Sequence, residues 1–324
     1  MKVFITGISG MDGSNLTEYL LNNFHGVAIH GIIRRHSLSQ SQDERIKAYD
    51  KYIKTYYGDL ADQSSLEALL KDIQPDYIFN PAAQSHVRVS FDIPQFTFQT
   101  NANGAMNMLE AYRKNCPGAK YYQASSSEMF GDMVDADGYQ RETTPMHPVS
   151  PYGISKLAAY HMTRNYRKAY NLHASNGILF NHSGYRRGEA FVEQKIVKTA
   201  VEIKLGLKEK IELGNLHASR DIGNSKDYVR AMMLILQQDK PGDYVVATGE
   251  TWTVGQIAEY VFDKLGLKFN PEISEQHKRP SELPFLKGDS SKIRTLGWKP
   301  EYTTAQTLDE MIEHWENYYF SDIG

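Results

Sequence analysis

Through its first 180 residues the chain alternates short apolar runs with amphipathic stretches. The run at 3–5 (VFI) reads as a short, fully buried strand of a parallel sheet, and 14–24 (SNLTEYLLNNF) carries apolar residues at helical spacing. The two patterns recur: strands are predicted at 27–33, 52–57, 77–79, 120–123 and 174–180, and helices at 64–71, 101–115 and 150–170. This alternation predicts an α/β fold with a parallel, doubly wound sheet and helices on both faces. Beyond about residue 180 it loosens. Helical patterns fall at 191–206, 226–238, 254–265 and 304–319, one more strand at 244–247, and prolines at 271, 280, 284 and 300 cut the end into short pieces. The expectation is a sheet domain over 1–180, rejoined once by the chain near 221–248, and a smaller, mixed, substrate-binding C-terminal lobe over 181–324.

Composition narrows the function classes. A formal net charge of -3 supplies no global basic field for nucleic acid or an anionic membrane. The single cysteine, Cys116, excludes an internal disulfide and a cysteine-based metal cluster, and nothing else has the spacing of a metal site. No stretch approaches the roughly 20 apolar residues that a membrane helix needs. The opening MKVFITGISGMDG reads as a buried strand entering a loop, not as a secretory signal, so a reducing cytoplasm is expected. His86, His147, His161 and His173 read as ordinary structural or surface histidines.

Candidate chemistry begins at the first strand–helix junction, Thr6-Gly7-Ile8-Ser9-Gly10-Met11-Asp12-Gly13. Small residues there let the backbone approach a pyrophosphate, whose charge a helix N-terminus then meets, so Gly7, Gly10, Met11, Asp12 and Gly13 are assigned to a dinucleotide. The end of the second strand discriminates between dinucleotides. An NAD site usually offers an acid to the ribose 2′-hydroxyl, whereas Arg34, Arg35 and Ser37 suit a 2′-phosphate, which predicts NADP. Asp59 and Leu60 close the third strand; Asp59 either binds the adenine amino group or caps the following turn. Ala82, Ala83 and Gln84, after the fourth strand, leave room for the cofactor at the carboxyl edge of the sheet.

A second constellation lies downstream, in Ser125-Ser126-Ser127-Glu128 and Tyr152-Gly153-Ile154-Ser155-Lys156. A tyrosine four residues before a lysine shares its helix face. The Lys156 ammonium is expected to favour the Tyr152 phenolate and make it a usable base near neutral pH. Ser126 adds a hydroxyl and Glu128 a carboxylate, a second proton-transfer group. Such a site can oxidise an alcohol, remove a proton from carbon and expel water.

Taken together, TGxxGxxG and a distant YxxxK resemble the extended short-chain dehydrogenase/reductase superfamily, which has a Rossmann sheet. GIIRR (31–35), GDLAD (58–62), AAQSHV (82–87), YQASSSEMFG (122–131), ETTPMHPVSPYGISK (142–156) and LFNH (179–182) closely resemble the GDP-mannose 4,6-dehydratase family. So do RRGEAFVEQKI (186–196), GNLHASRDIGNSKDYV (214–229), RPSEL (279–283) and GDSSKIRTLGWKP (288–300), and the likeness covers nearly the whole length. The resemblance implies that Tyr152 accepts the proton of the sugar 4-hydroxyl while Lys156 holds the nicotinamide ribose. It gives Ser126 a hydrogen bond to that hydroxyl and Glu128 the C5 proton. It adds His182 and Arg187 to the cofactor site, and Ser85, Asn181, Lys195, Gly214, Arg220, Arg279 and Glu282 to the site for the nucleotide sugar. Lys195, Arg220 and Arg279 would neutralise the substrate diphosphate. The implied activity is that of a hydro-lyase converting GDP-mannose to its 4-keto-6-deoxy product on one NADP, in a homotetramer whose loop 35–40 reaches a neighbouring subunit. Ser183-Gly184-Tyr185 stands where the family usually has Glu-Ser-Pro, beside the sugar, and His217 and Ile222 replace Asp and Trp. These departures leave GDP-heptose as an alternative substrate; a 4-epimerase or reductase, which needs Tyr152 and Lys156 but no carboxylate at Glu128, is the alternative reaction.

Overall fold

The computed structural model describes residues 1–34, 44–277 and 279–322, so Arg35 and Ser37 lie outside the described residues. Seven strands form the main sheet: β1 Lys2–Thr6, β2 Ala28–Ile33, β3 Ile53–Tyr57, β4 Tyr77–Asn80, β5 Lys120–Ser126, β6 Ala174–Leu179 and β7 Asp243–Val246. Their order is β7-β6-β5-β4-β1-β2-β3, and every neighbouring pair is parallel. The predicted α/β doubly wound sheet is therefore observed, and its order reverses between β1 and β4. A crevice opens there at the carboxyl ends of the strands.

The period of two along each strand splits the core. Val3 and Ile5 of β1 face one layer, with Leu16 and Leu20 of helix α1 (Met11–Asn23) and Val229 and Met232 of the helix Ser225–Gln237. Phe4 faces the other, with Leu66, Leu70, Met108 and Tyr112 from the helices Gln63–Ile73 and Gly104–Asn115. Ile293 and Trp298 also join the first layer, and the Trp298 indole N–H donates to the Asp227 carbonyl at 3.0 Å. The chain thus touches the sheet domain again near its end, a contact that the sequence pattern does not predict.

One predicted helix differs in form. Instead of a plain helix from residue 101, a π-helical turn (Gln99–Asn103) precedes Gly104–Asn115. The buried Asn101 amide donates to the Gln84 carbonyl and the Ser155 hydroxyl, both at 3.0 Å, and its oxygen accepts from the Gln84 N–H at 2.9 Å. Those bonds hold a side chain inward where the local ladder widens.

Apolar residues of the helices Val192–Lys204, Val254–Lys264 and Thr304–Asp322 pack a second core. Beside it the strand Ser219–Asn224 pairs with Asn181–Ser183, Thr251–Thr253 and Phe285–Leu286. Asp221 anchors this small sheet. Its buried carboxylate accepts hydrogen bonds from the Thr248 N–H and hydroxyl and from the Gly249 and Gly288 N–H groups, yet burial still raises it to about 6. Among the described residues no helix is long and apolar enough to cross a membrane.

Candidate active site

The glycine loop is shaped by contacts that leave no room for side chains. Gly7 has φ +59°, and a Cβ on it would meet Ala82 at 3.1 Å; one on Gly13 would come within 2.3 Å of the Gly7 carbonyl oxygen. Helix α1 then starts at Gly10 with no side-chain cap, so its first N–H groups face the crevice as a ready anion site. Asp12, in the first turn, has both carboxylate oxygens within 3.1 Å of His182 Nε2. Burial pushes its carboxyl up, but the charges of His182, Arg187 and Lys156 outweigh this and hold it below its ordinary value. The His182 ring is stacked on Tyr228 with centroids 4.4 Å apart.

One cavity of about 540 Å³ runs from this loop to the second lobe. Its cofactor end is lined by the loop glycines with Met11 and Asp12, and by Arg34, Asp59, Leu60, Ala82 and Ala83. The Asp59 carboxylate accepts from the Ala61 N–H at 2.9 Å, the turn-capping geometry, while the residue still borders the cavity. Gln84 is not among the lining residues. Its side-chain amide donates to the His86 carbonyl at 3.1 Å, and its backbone is tied to Asn101.

The middle of the cavity holds the second constellation. β5 ends on Ser126, and a single 3₁₀ turn, Ser127–Met129, carries Glu128. The helix Pro151–Ala169, capped by the Ser150 hydroxyl accepting from Gly153 N–H at 3.0 Å, presents Tyr152 and Lys156 from its first two turns. All four side chains line the cavity and are nearly buried. Burial works against the expected activation of the phenol by Lys156. Lys156 Nζ donates to the Ala124 carbonyl at 2.9 Å and sits 5.8 Å from the Tyr152 ring centroid. Burial drives Tyr152 up to about 12; the Ser126 hydroxyl and Arg187 pull it down, and Glu128 and Asp12 raise it. Burial also lowers Lys156 to about 8, against the Asp12 charge.

The far end is a chain of charges. Arg279 Nη1 lies 3.1 Å from Glu128 Oε1 and 3.5 Å from Glu282, and Glu282 accepts from Arg220 at 2.8 Å. Burial lowers the Arg220 guanidinium, with Glu128 and Glu282 opposing and Arg279 adding to the effect. Ser85, Asn181, Lys195 and Gly214 line the same cavity, and Arg187 lies over the Phe191 ring at 3.6 Å. The structure thus brings together every described residue assigned from sequence except Gln84. His86, Arg45, Arg88 and Asn215 line the cavity as well. Asn215 and His86 lie within the GNLHASR and AAQSHV stretches and could have been found there; His86, read from sequence as an ordinary histidine, also caps the helix Val87–Asp92. Among the described residues no group of three or more His, Cys, Asp or Glu could hold a metal ion.

The positions that depart from the family pattern point elsewhere. Tyr185 packs against the His314 ring at 5.2 Å, and the Ser183 hydroxyl donates to Met311 Sδ at 3.7 Å. Ile222 is buried in the second core and His217 is exposed. None of the four lines the cavity.

The family model for GDP-mannose 4,6 dehydratase matches residues 4–311. The chain belongs to the GDP-mannose 4,6 dehydratase family. It is 49% identical over 322 residues to GDP-mannose 4,6 dehydratase 1 of Arabidopsis thaliana, covering 95% of this chain and 88% of that protein. The human GDP-mannose 4,6 dehydratase is 40% identical over 340 residues, covering 95% and 89%. The UDP-glucose 4-epimerase of Thermus thermophilus, solved with NAD, superposes with a TM-score of 0.84 at 27% identity, covering 98% of this chain and 99% of that one. The Rossmann architecture is thus shared beyond the dehydratases.

Proposed function

We propose that the protein is a GDP-mannose 4,6-dehydratase, a hydro-lyase that oxidises C4 of the hexose, eliminates water across C5 and C6, and reduces C6. The observation that carries this reading is the placement of Glu128 beside Tyr152 and Ser126 in the cavity that also holds the glycine loop. A 4-epimerase or plain reductase needs the phenol but not a carboxylate. Since Tyr185, His217 and Ile222 stand away from the cavity, they give no reason to replace mannose by a heptose.

The residues fit a nicotinamide dinucleotide: glycines where a Cβ would clash, an uncapped helix N-terminus, and Arg34 at the end of β2. Arg34, with Arg35 and Ser37, supports NADP. The cofactor's contribution is reversible hydride storage, so the overall reaction needs no external oxidant. Tyr152 accepts the 4-hydroxyl proton, and Ser126 orients that hydroxyl. Lys156 holds the cofactor ribose. The C4 ketone then acidifies the hydrogen on C5, which brings it within reach of a carboxylate. Glu128 takes that proton and assists departure of the 6-hydroxyl as water. Arg220, Arg279 and Lys195 meet the diphosphate of the nucleotide, with Asn181, Ser85, Gly214 and Glu282 around the sugar and nucleoside.

Incubation with GDP-mannose and mass analysis for loss of water tests the reading. The Glu128→Gln variant should still oxidise C4 slowly yet form almost no 6-deoxy product; full product formation would refute the role given to Glu128. We also infer a cytoplasmic homo-oligomer, a tetramer by family resemblance. An exposed apolar face formed by the helix Pro94–Phe98 and the outer side of Pro151–Ala169 supports association.

A further inference from the structure

We propose that Arg45 is a specificity-determining residue that contacts the phosphate on the adenosine ribose of the dinucleotide. This rests on the NADP reading and extends it to a residue outside the sequence motifs. β1 and β2 are neighbours in the sheet, with Thr6 opposite Ile32. Ser9 follows β1 in the glycine loop, and Arg34 follows β2. In a doubly wound sheet the adenosine ribose lies between these two strand ends. Arg45, on the short helix Glu44–Lys47, reaches back to this place: its Nη1 is 3.4 Å from the Ser9 carbonyl oxygen, and it lines the cavity together with Ser9 and Arg34.

The charge there is unbalanced. A carbonyl at 3.4 Å is a long contact that neutralises nothing. Burial works against the charged form of Arg45, the Arg186 guanidinium adds to this, Glu189 offsets it and Arg187 opposes it again. Arg186 is already engaged, by Glu18 at 2.6 Å and by Asn15 and the Tyr49 hydroxyl at 3.0 Å each. Arg34 and Arg45 line this end of the cavity, and around Arg45 the positive charge of Arg186 and Arg187 exceeds what Glu189 offsets. A phosphate dianion relieves that repulsion and fits the guanidinium fork; a ribose hydroxyl does neither.

Dissociation constants for NADPH and NADH, measured by fluorescence on the native chain and on Arg45→Ala and Arg45→Lys, test the assignment. Arg45→Ala should weaken NADPH about 10- to 100-fold while leaving NADH within about twofold, as loss of one charge-assisted contact predicts. Arg45→Lys, which keeps the charge, should retain part of the preference even if the alanine variant folds poorly. Equal weakening of both dinucleotides would assign Arg45 to bracing the Ser9 turn and overturn the proposal, as would unchanged NADPH binding. A native chain that binds NADH as tightly as NADPH would instead remove the NADP reading itself, and this proposal with it.

Discussion

A phenol pushed up to about 12 is a poor base at neutral pH, so Tyr152 needs positive charge close by before it can accept a proton. The ammonium of Lys156 is turned to the Ala124 carbonyl, and an oxidised nicotinamide ring, cationic by its chemistry, is the other source of such charge. Tyr152→Phe removes the proton acceptor and leaves the ring that packs. Turnover of GDP-mannose should then fall about 10²–10⁴-fold, the usual weight of general base catalysis, with NADPH binding retained. A fall of less than tenfold, measured by product mass with matched binding curves, would move the base elsewhere. The spacing of Tyr152 and Lys156 was legible because four residues on a helix share a face. Their ionisation was not, because burial acts through the β5 strand and the Ser127–Met129 turn, which the helix sequence does not encode. The charge chain Glu128–Arg279–Glu282–Arg220 was hidden for the same reason. Each residue carried a resemblance-based role, but the pairing depends on which loops meet across the cavity.

Elements were legible where burial is uniform or periodic. The apolar runs that became β1 and β4 are buried on both faces, and the capped helix Pro151–Ala169 keeps Tyr152, Lys156, Ala159, Tyr160, Thr163 and Tyr166 on one buried side. The small sheet beside the second core escaped notice because Asn181–Ser183, Thr251–Thr253 and Phe285–Leu286 are too short to show a period. The glycine loop is the element on which cofactor binding depends most, and its tightest point is Gly13. A methyl there would press on the Gly7 carbonyl oxygen at 2.3 Å and on Ile8 Cα at 2.7 Å, backbone atoms that cannot rotate away. Gly13→Ala should cost about 1–3 kcal/mol through overpacking. It should also weaken both dinucleotides together, since helix α1 must back away from the loop. Thermal melts with and without NADPH check this: a melting temperature and an NADPH-induced rise equal to those of the native chain would show that the loop yields freely.

At the scale of the molecule, one helix serves two purposes. The inner side of Pro151–Ala169 carries Tyr152 and Lys156 into the cavity, and between them in sequence Ile154 points outward, 48% exposed. Phe96 (48%), Phe98 (42%), Ile93 (41%) and Met106 (38%) are exposed as well, and Pro94, Phe96, Phe98, Pro151 and Ile154 border one shallow apolar depression. Scattered exposed apolar residues need no explanation, but a contiguous apolar group on packed helices marks an interaction surface. A second copy of the chain can cover it with the same group, because a two-fold contact is self-complementary. Phe96→Glu combined with Ile154→Glu places like charges opposite one another across such a contact. The native chain should scatter light as a multi-subunit species at micromolar concentration, and the double variant as a smaller one with an unchanged circular dichroism spectrum. A monomeric native chain would remove the inferred oligomer. An oligomer that survives both substitutions would place its contacts on another face, leaving the apolar depression beside the catalytic helix to be explained by something other than a second copy.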